Sequence, residues 1–207
     1  MNTSININPN LPLLISDADE VIFEFMESFE EYLLSNNMYF SYKSFKLNGN
    51  IYNKKTNNPV DSSTIPIIIS DFFQEYAIKM PLIKGAKIAL EELSKVMNVV
   101  ILSNIPQKFA SDRIQCFKDN NMHYAFISNE GPKNIKCLEL QKLTNKKVFF
   151  IDDLPSQISS VSMNCNNITT IHFLQNEKLL KLIPNVNDCD FKTDNWESVL
   201  KFIYKNI

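Results

Sequence analysis

Four short stretches of this 207-residue chain put reactive side chains directly after apolar runs. Leu13-Leu14-Ile15-Ser16 leads into Asp17-Ala18-Asp19-Glu20, and Val99-Val100-Ile101-Leu102 into Ser103-Asn104. Tyr124-Ala125-Phe126-Ile127 leads into a turn carrying Lys133, and Val148-Phe149-Phe150-Ile151 into Asp152-Asp153. Asp17 and Asp19 fall on one side if the extended chain runs through them. Two like charges about 4 Å apart repel by roughly 4 kcal/mol at an effective dielectric near 20. Four carboxylates facing one lysine in a single crevice therefore require that some protonate or that a divalent cation sit among them. Oxygen donors without His or Cys suit a hard ion, and Mg²⁺ is the expected one, an ion that keeps waters and binds substrate phosphates. The plainer reading of each stretch alone is a solvated turn in which Asp caps local backbone. It explains one or two acidic residues at strand ends, and poorly explains Asp-x-Asp, Ser, Lys and Asp-Asp together.

These groups meet only if the apolar runs are neighbouring parallel strands. Runs of this length bounded by turn-prone residues read as strands buried on both faces. Between them lie amphipathic stretches: Ile88 to Lys95, a helix opened by Pro106 and running to about Phe117, Lys133 to Lys142, and Pro155 to Met163. Ile168 to Phe173 is a fifth strand, and Trp196 to Tyr204 a closing helix. Alternation at this spacing predicts right-handed βαβ units, an α/β fold with a doubly wound parallel sheet. Such sheets bind ligands outside the carboxyl ends of their strands.

Residues from about Glu24 to Met80 are too many for a loop between adjacent elements and read as a small, mainly helical insertion. Val21 to Leu34 fits a helix with a broad apolar face. The aromatic stretch Met38 to Tyr52 fits strand or helix, Asn53 to Thr64 reads as a loop, and a second helix is expected to begin with Ser70-Asp71 as its cap. The expected division is a core of residues 1–22 and 81–207 and a cap of residues 23–80. Residues up to about Asn10 form an Asn-rich arm.

Composition narrows the function classes. A net charge of -2 with scattered lysines gives no footprint for nucleic acid or an anionic membrane. No apolar run is long enough to span a bilayer, and Met1 to Asn6 lacks the regions of a signal peptide, so a cytoplasmic protein is expected. Cys116, Cys137, Cys165 and Cys189 form no Cys-x-x-Cys pair and read as free thiols. His123 and His172 read as structural residues, leaving no material for a His-based metal site or a Ser-His-Asp triad. With three glycines there is no Gly-rich phosphate loop.

Ile15-Ser16-Asp17-Ala18-Asp19-Glu20-Val21, Val99 to Asn104, Gly131-Pro132-Lys133 and Phe149-Phe150-Ile151-Asp152-Asp153 resemble the four motifs of the haloacid dehalogenase superfamily, in that family's order. The resemblance spans about Leu13 to Ser160. It implies a Rossmann-like core with a small cap inserted after the first motif, and a Mg²⁺-dependent phosphatase acting on a small phosphorylated metabolite. Residue by residue, it implies Asp17 as the nucleophile that becomes an aspartyl phosphate and Asp19 as general acid and then base. Ser103 and the backbone N–H of Asn104 would bind the phosphoryl oxygens, and Lys133 would neutralise the phosphoryl group and Asp17. Asp17, Asp152, Asp153 and the backbone carbonyl of Asp19 would hold the metal. Asp19 favours phosphoryl transfer over the carbon-attacking relatives, which need no acid there. Two positions depart from the pattern: Glu20 adds charge near the mouth, and Gln157 stands where many relatives have Asp or Asn, which alters the metal's outer shell. A phosphomutase or phosphotransferase on the same motifs, a receiver-type signalling domain with its motifs in another order, and a non-catalytic binding protein on the same fold are the competing readings.

Overall fold

The computed structural model describes residues 5–182 and 189–207. Strand β1 (Leu13–Ser16) is buried along its whole length, as its unbroken apolar run requires. It lies between β4 (Asn98–Ser103) and β6 (Val148–Asp152) and is parallel to both. β5 (Ala125–Ser128) flanks β4, while β7 (Ile168–Phe173) and β8 (Phe191–Thr193) extend the other side. The resulting six-stranded order is β5-β4-β1-β6-β7-β8. All its pairings are parallel, and the chain reverses its direction of progress between β1 and β6. That boundary is the switch point where doubly wound sheets open a crevice.

The sheet separates two apolar layers. Leu13 and Ile15 face a cluster built with Cys137 and Leu140 of α5 (Asn134–Gln141) and Ile158 and Val161 of α6 (Pro155–Asn164). Leu14 faces the opposite layer, with Ala89 and Leu90 of α3 (Ala86–Leu93), Cys116 and Phe117 of α4 (Ala110–Asp119), and Val199 and Ile203 of α8 (Trp196–Asn206). The alternation of side chains along β1 supplies both layers from one strand. Cys116, Cys137 and Cys165 are free thiols, as expected.

The segment between β1 and α3 contains α1 (Phe25–Ser35), an antiparallel hairpin of β2 (Met38–Phe40) and β3 (Ile51–Asn53), and α2 (Ile65–Tyr76). The aromatic stretch left open between strand and helix thus resolves into the hairpin. Its helices pack through rings: Phe72 lies within 5.1–5.7 Å of Phe25, Phe29, Tyr32, Phe73 and Tyr76, centroid to centroid. This aromatic layer is continuous with the apolar layer over the sheet.

Two helix starts differ from the sequence reading. α1 begins at Phe25 and not at Val21, because residues 18–23 form a tight turn closed by Glu20 N–H to Phe23 O (2.8 Å) and Phe23 N–H to Ala18 O (2.9 Å). α2 begins five residues before Ser70: Pro66 sits in its first turn, where proline loses no hydrogen bond. A 3₁₀ turn at Ser62–Thr64, capped by Asp61, feeds directly into it. β8 and the four-residue helix α7 (Glu177–Leu180) are too short for periodicity to register. Of the Asn-rich arm, residues 1–4 lie outside the described residues, as do the first four of the six read for a signal peptide. Its remainder is tied to the sheet where Asn8 N–H donates to Asn98 Oδ1 (3.0 Å) and the Asn98 amide donates to Asn8 O (2.9 Å). Among the described residues no helix is long and apolar enough to cross a membrane.

Candidate active site

Register brings the four motifs to one rim. Ser16 stands opposite Ile101 on one side and Ile151 on the other, so Asp17 comes level with Leu102 and Asp152, and Ser103 follows one residue on. The Asp17 N–H extends the ladder by donating to Ile151 O at 2.9 Å. Lys133 lies at the start of α5, beyond the end of β5, and its ammonium bridges the switch point. Nζ is 2.6 Å from Asp17 Oδ1 and 2.6 Å from Asp152 Oδ2. Among the described residues, Asp17, Asp152 and Asp153 each offer one carboxylate oxygen to a group whose three atoms lie within 4.8 Å of one another. All three are buried, as is Lys133.

The charges strain one another. Burial raises the Asp152 carboxyl, Lys133 pulls it back and Asp17 raises it again, leaving it at about 7. Burial, then Asp152, Asp17 and Glu20, hold Asp153 well above the usual carboxylate range against the pull of Lys133. Burial would lower Lys133, but Asp152 and Asp17 outweigh it and keep its pKa above that of an ordinary lysine. Three carboxyl groups crowd one ammonium in a buried site and hold two of their own number above the carboxylate range, a strain that a bound cation would relieve.

No family model matches the sequence, and no curated protein is significantly similar to it. Solved structures do resemble it. A protein named as a predicted phosphatase of Clostridium acetobutylicum superposes with a TM-score of 0.63 at 15% identity, over 95% of this chain and 99% of its own. A haloacid dehalogenase-like family hydrolase of Streptococcus pneumoniae gives 0.60 at 12% identity over 94% and 99%. A HAD family hydrolase of Deinococcus radiodurans R1 gives 0.61 at 10% identity over 96% and 97%. The fold is that of the haloacid dehalogenase-like hydrolases. The parallel Rossmann-like sheet and the segment inserted after its first strand agree with the expected fold class.

Within this haloacid dehalogenase-like fold, the loop that presents Lys133 hangs from neighbours that sequence reasoning placed elsewhere. Gln157 Oε1 accepts from Lys133 N–H at 2.9 Å, and Gln157 Nε2 donates to Gly131 O at 3.2 Å. Gln157 therefore serves as a strut for the lysine loop. The Asn104 amide donates to the same Gly131 carbonyl at 2.9 Å, and its Oδ1 accepts from Asn129 at 2.8 Å. Gly131 turns the chain at φ +77°. Ser103, fully buried, accepts at Oγ from Ile105 N–H (3.3 Å). Beside Asn104, Asn129 and Gly131 lies a cavity of about 610 Å³. On the far side, His172 Nε2 donates to the Asp153 carbonyl at 2.8 Å, which fixes the neutral tautomer with the proton on Nε2. Burial lowers the pKa of His172, which disfavours its charged form beside the cluster.

Asp19 departs from the cluster. Its carboxylate stands outside the group made by Asp17, Asp152 and Asp153. Oδ1 instead accepts from Arg113 Nη2 at 2.8 Å. Arg113 on α4 was not singled out from the sequence, although a signal was present. It is the one arginine of the chain, so the 21 basic residues comprise 20 lysines and this group.

Glu20, expected as free charge at the mouth, is buried and accepts from Met26 N–H at 2.6 Å, capping the start of α1. It adopts φ +60° in the tight turn. Burial raises its carboxyl to about 7, against the Met26 N–H and with reinforcement from Asp19, Glu27 and Glu24. A folded value above the unfolded one gives stability that is complete below the unfolded pKa and fades as pH climbs through 7. Glu20→Gln keeps an acceptor for Met26 and cannot ionise. Its unfolding free energy relative to wild type should rise between pH 5 and pH 8.5, by a few kcal/mol at most, on the order of 1.4 kcal/mol per pKa unit. Urea melts of both proteins at the two pH values measure this, and an unchanged gap contradicts the assignment.

Proposed function

We propose that the protein is a cation-dependent phosphoric monoester hydrolase, with Mg²⁺ as its ion, that cleaves a small phosphorylated metabolite through a phosphorylated Asp17. The observation that carries this reading is the Lys133 ammonium held 2.6 Å from both Asp17 and Asp152 beside Asp153. The donor set is oxygen only, and three carboxyl groups stand against one ammonium, which fits a hard divalent ion. Asp17, Asp152 and Asp153, with the main-chain carbonyl of Asp19, would hold it. Bound there, the ion would screen the carboxylates and polarise a phosphoryl oxygen.

The chain's own groups do the rest. Asp17 forms the new O–P bond as the bond from phosphorus to the leaving oxygen breaks, and Asp19 gives that oxygen a proton. Water then attacks phosphorus as Asp19 takes its proton. The Asp17–phosphorus bond breaks and inorganic phosphate leaves. Lys133, Ser103 and the N–H of Asn104 offset the charge on the transferred group. The HAD family hydrolase of Deinococcus radiodurans R1, which has the same fold, was solved with bound phosphate and sodium. We assign residues 23–80 as the cap that excludes water, and the cavity beside Asn104 as room for the remainder of a small substrate.

Phosphate release from an aryl phosphate tests the reading. Chelator-treated protein should lose at least about a hundredfold in rate, since metal stabilisation contributes several kcal/mol, and added Mg²⁺ should restore it. An undiminished rate in chelator overturns the cation dependence.

A further inference from the structure

We infer that Arg113 is the positioning residue of Asp19, holding the proton-transferring carboxylate by one oxygen so that the other meets the leaving group. The inference rests on the proposed hydrolase reading.

Arg113 is wholly buried, whereas the Asp19 side chain is 20% exposed, so the pair runs from the interior to the rim. The guanidinium cannot swing away. It lies 4.5 Å from the centre of the Phe23 ring, and Nη1 and Nη2 are each 3.7 Å from Met80 Sδ. The contact with Asp19 uses Nη2 and takes only Oδ1. Asp19 and Phe23 also bridge across the tight turn that follows β1. The carboxylate is thus held from its main chain and from one oxygen.

Stability alone does not explain this arrangement. A buried arginine is costly unless its donors are matched, and Nε of Arg113 is buried with no hydrogen-bond partner among the described residues. The two sulfur contacts are weak substitutes for oxygen acceptors. A chain that uses lysine at every other basic position has placed its single arginine here, 94 residues from the carboxylate it meets. A planar fork with fixed donor directions sets the orientation of a carboxylate, which the rotatable ammonium of lysine does not. The group so oriented is the one whose proton must reach a developing alkoxide along a defined line.

The test separates orientation from packing by leaving group. An aryl phosphate departs without a proton, whereas an alkyl phosphate needs one. Arg113→Met, which fills the space between Phe23 and Met80, should lower the alkyl-to-aryl ratio of kcat/KM by about a hundredfold, the low end of general-acid contributions. Asp19→Asn should lower the ratio in the same direction. The double variant should be no worse than Asp19→Asn on the alkyl substrate, because the two residues act as one unit. Arg113→Lys, which keeps the charge, gives a second reading should the methionine variant melt below the assay temperature, and should recover only part of the ratio. An equal fall on both substrates, or an unchanged ratio in a folded variant, overturns the inference while leaving the hydrolase reading intact. A wild type that hydrolyses neither ester overturns both.

Discussion

Asp17→Asn should abolish phosphate release, by at least about a thousandfold, the scale seen when a covalent nucleophile is removed, and should leave the protein folded. The amide cannot form the O–P bond, yet its oxygen can still accept from Lys133 Nζ, which stands 2.6 Å from Asp17 Oδ1 in the wild type. The substitution also removes one of three mutually repelling carboxylates. A melting temperature equal to or above that of wild type is therefore expected, in the manner of sites that hold charge at a cost to stability. Phosphate release and a thermal melt on one preparation decide the matter. Retained turnover would exclude Asp17 as the nucleophile, and a collapsed melt would show the carboxylate to be structural.

Lys133→Met is expected to have the largest effect on stability. The ammonium is the counter-charge 2.6 Å from both Asp17 and Asp152, all three groups buried. Removing one partner of a buried pair costs about 3–5 kcal/mol, because the remaining charge has neither water nor a mate. The loss has a pH signature. Asp152, at about 7 with Lys133 present, climbs further without it, since the lysine is what pulls it down. The variant's carboxylates then take up protons as pH falls, and a protonated carboxyl needs no counter-ion. The gap to wild type should accordingly be widest near pH 8 and shrink toward pH 5, as measured by urea melts across that range. Equal stability of variant and wild type at pH 8 would remove Lys133 from the centre of the electrostatic account.

Both effects arise from crowding that a purely structural core would avoid. Asp152 already spends Oδ1 on the Leu154 N–H and Oδ2 on Lys133, so it is locked in place by its own helix start and by the lysine. Asp17 is locked by its ladder bond to Ile151 and by Lys133. The lysine is locked in turn through Gln157 and the Gly131 carbonyl. On the proposed reading these are the reacting groups, and hanging each from the rim of a sheet would give the rigid placement that transition-state stabilisation demands.

How far the sequence alone reaches follows from the range of the forces involved. The strands were legible because an unbroken apolar run such as Leu13–Ile15 or Val148–Ile151 must bury both faces, and that demand is local. The parallel order was legible because helices alternate with those runs, and the rim followed because parallel strands all end on one side. Asp17, Ser103, Lys133, Asp152 and Asp153 needed only those rules to be brought together. Glu20 and Gln157 did not yield to such rules. Whether Glu20 is charge at the mouth or a helix cap depends on the turn at residues 18–23, which rests on a left-handed backbone at a non-glycine residue. Gln157 reaches a loop 26 residues earlier, and no sequence pattern sets that distance. Arg113 is the plainest case. Its composition marks it as singular, but its partner lies 94 residues away on a different element. Periodicity and motif spacing report what a residue's neighbours along the chain require. Which buried charge meets which is a matter of three-dimensional packing, and only the folded chain decides it.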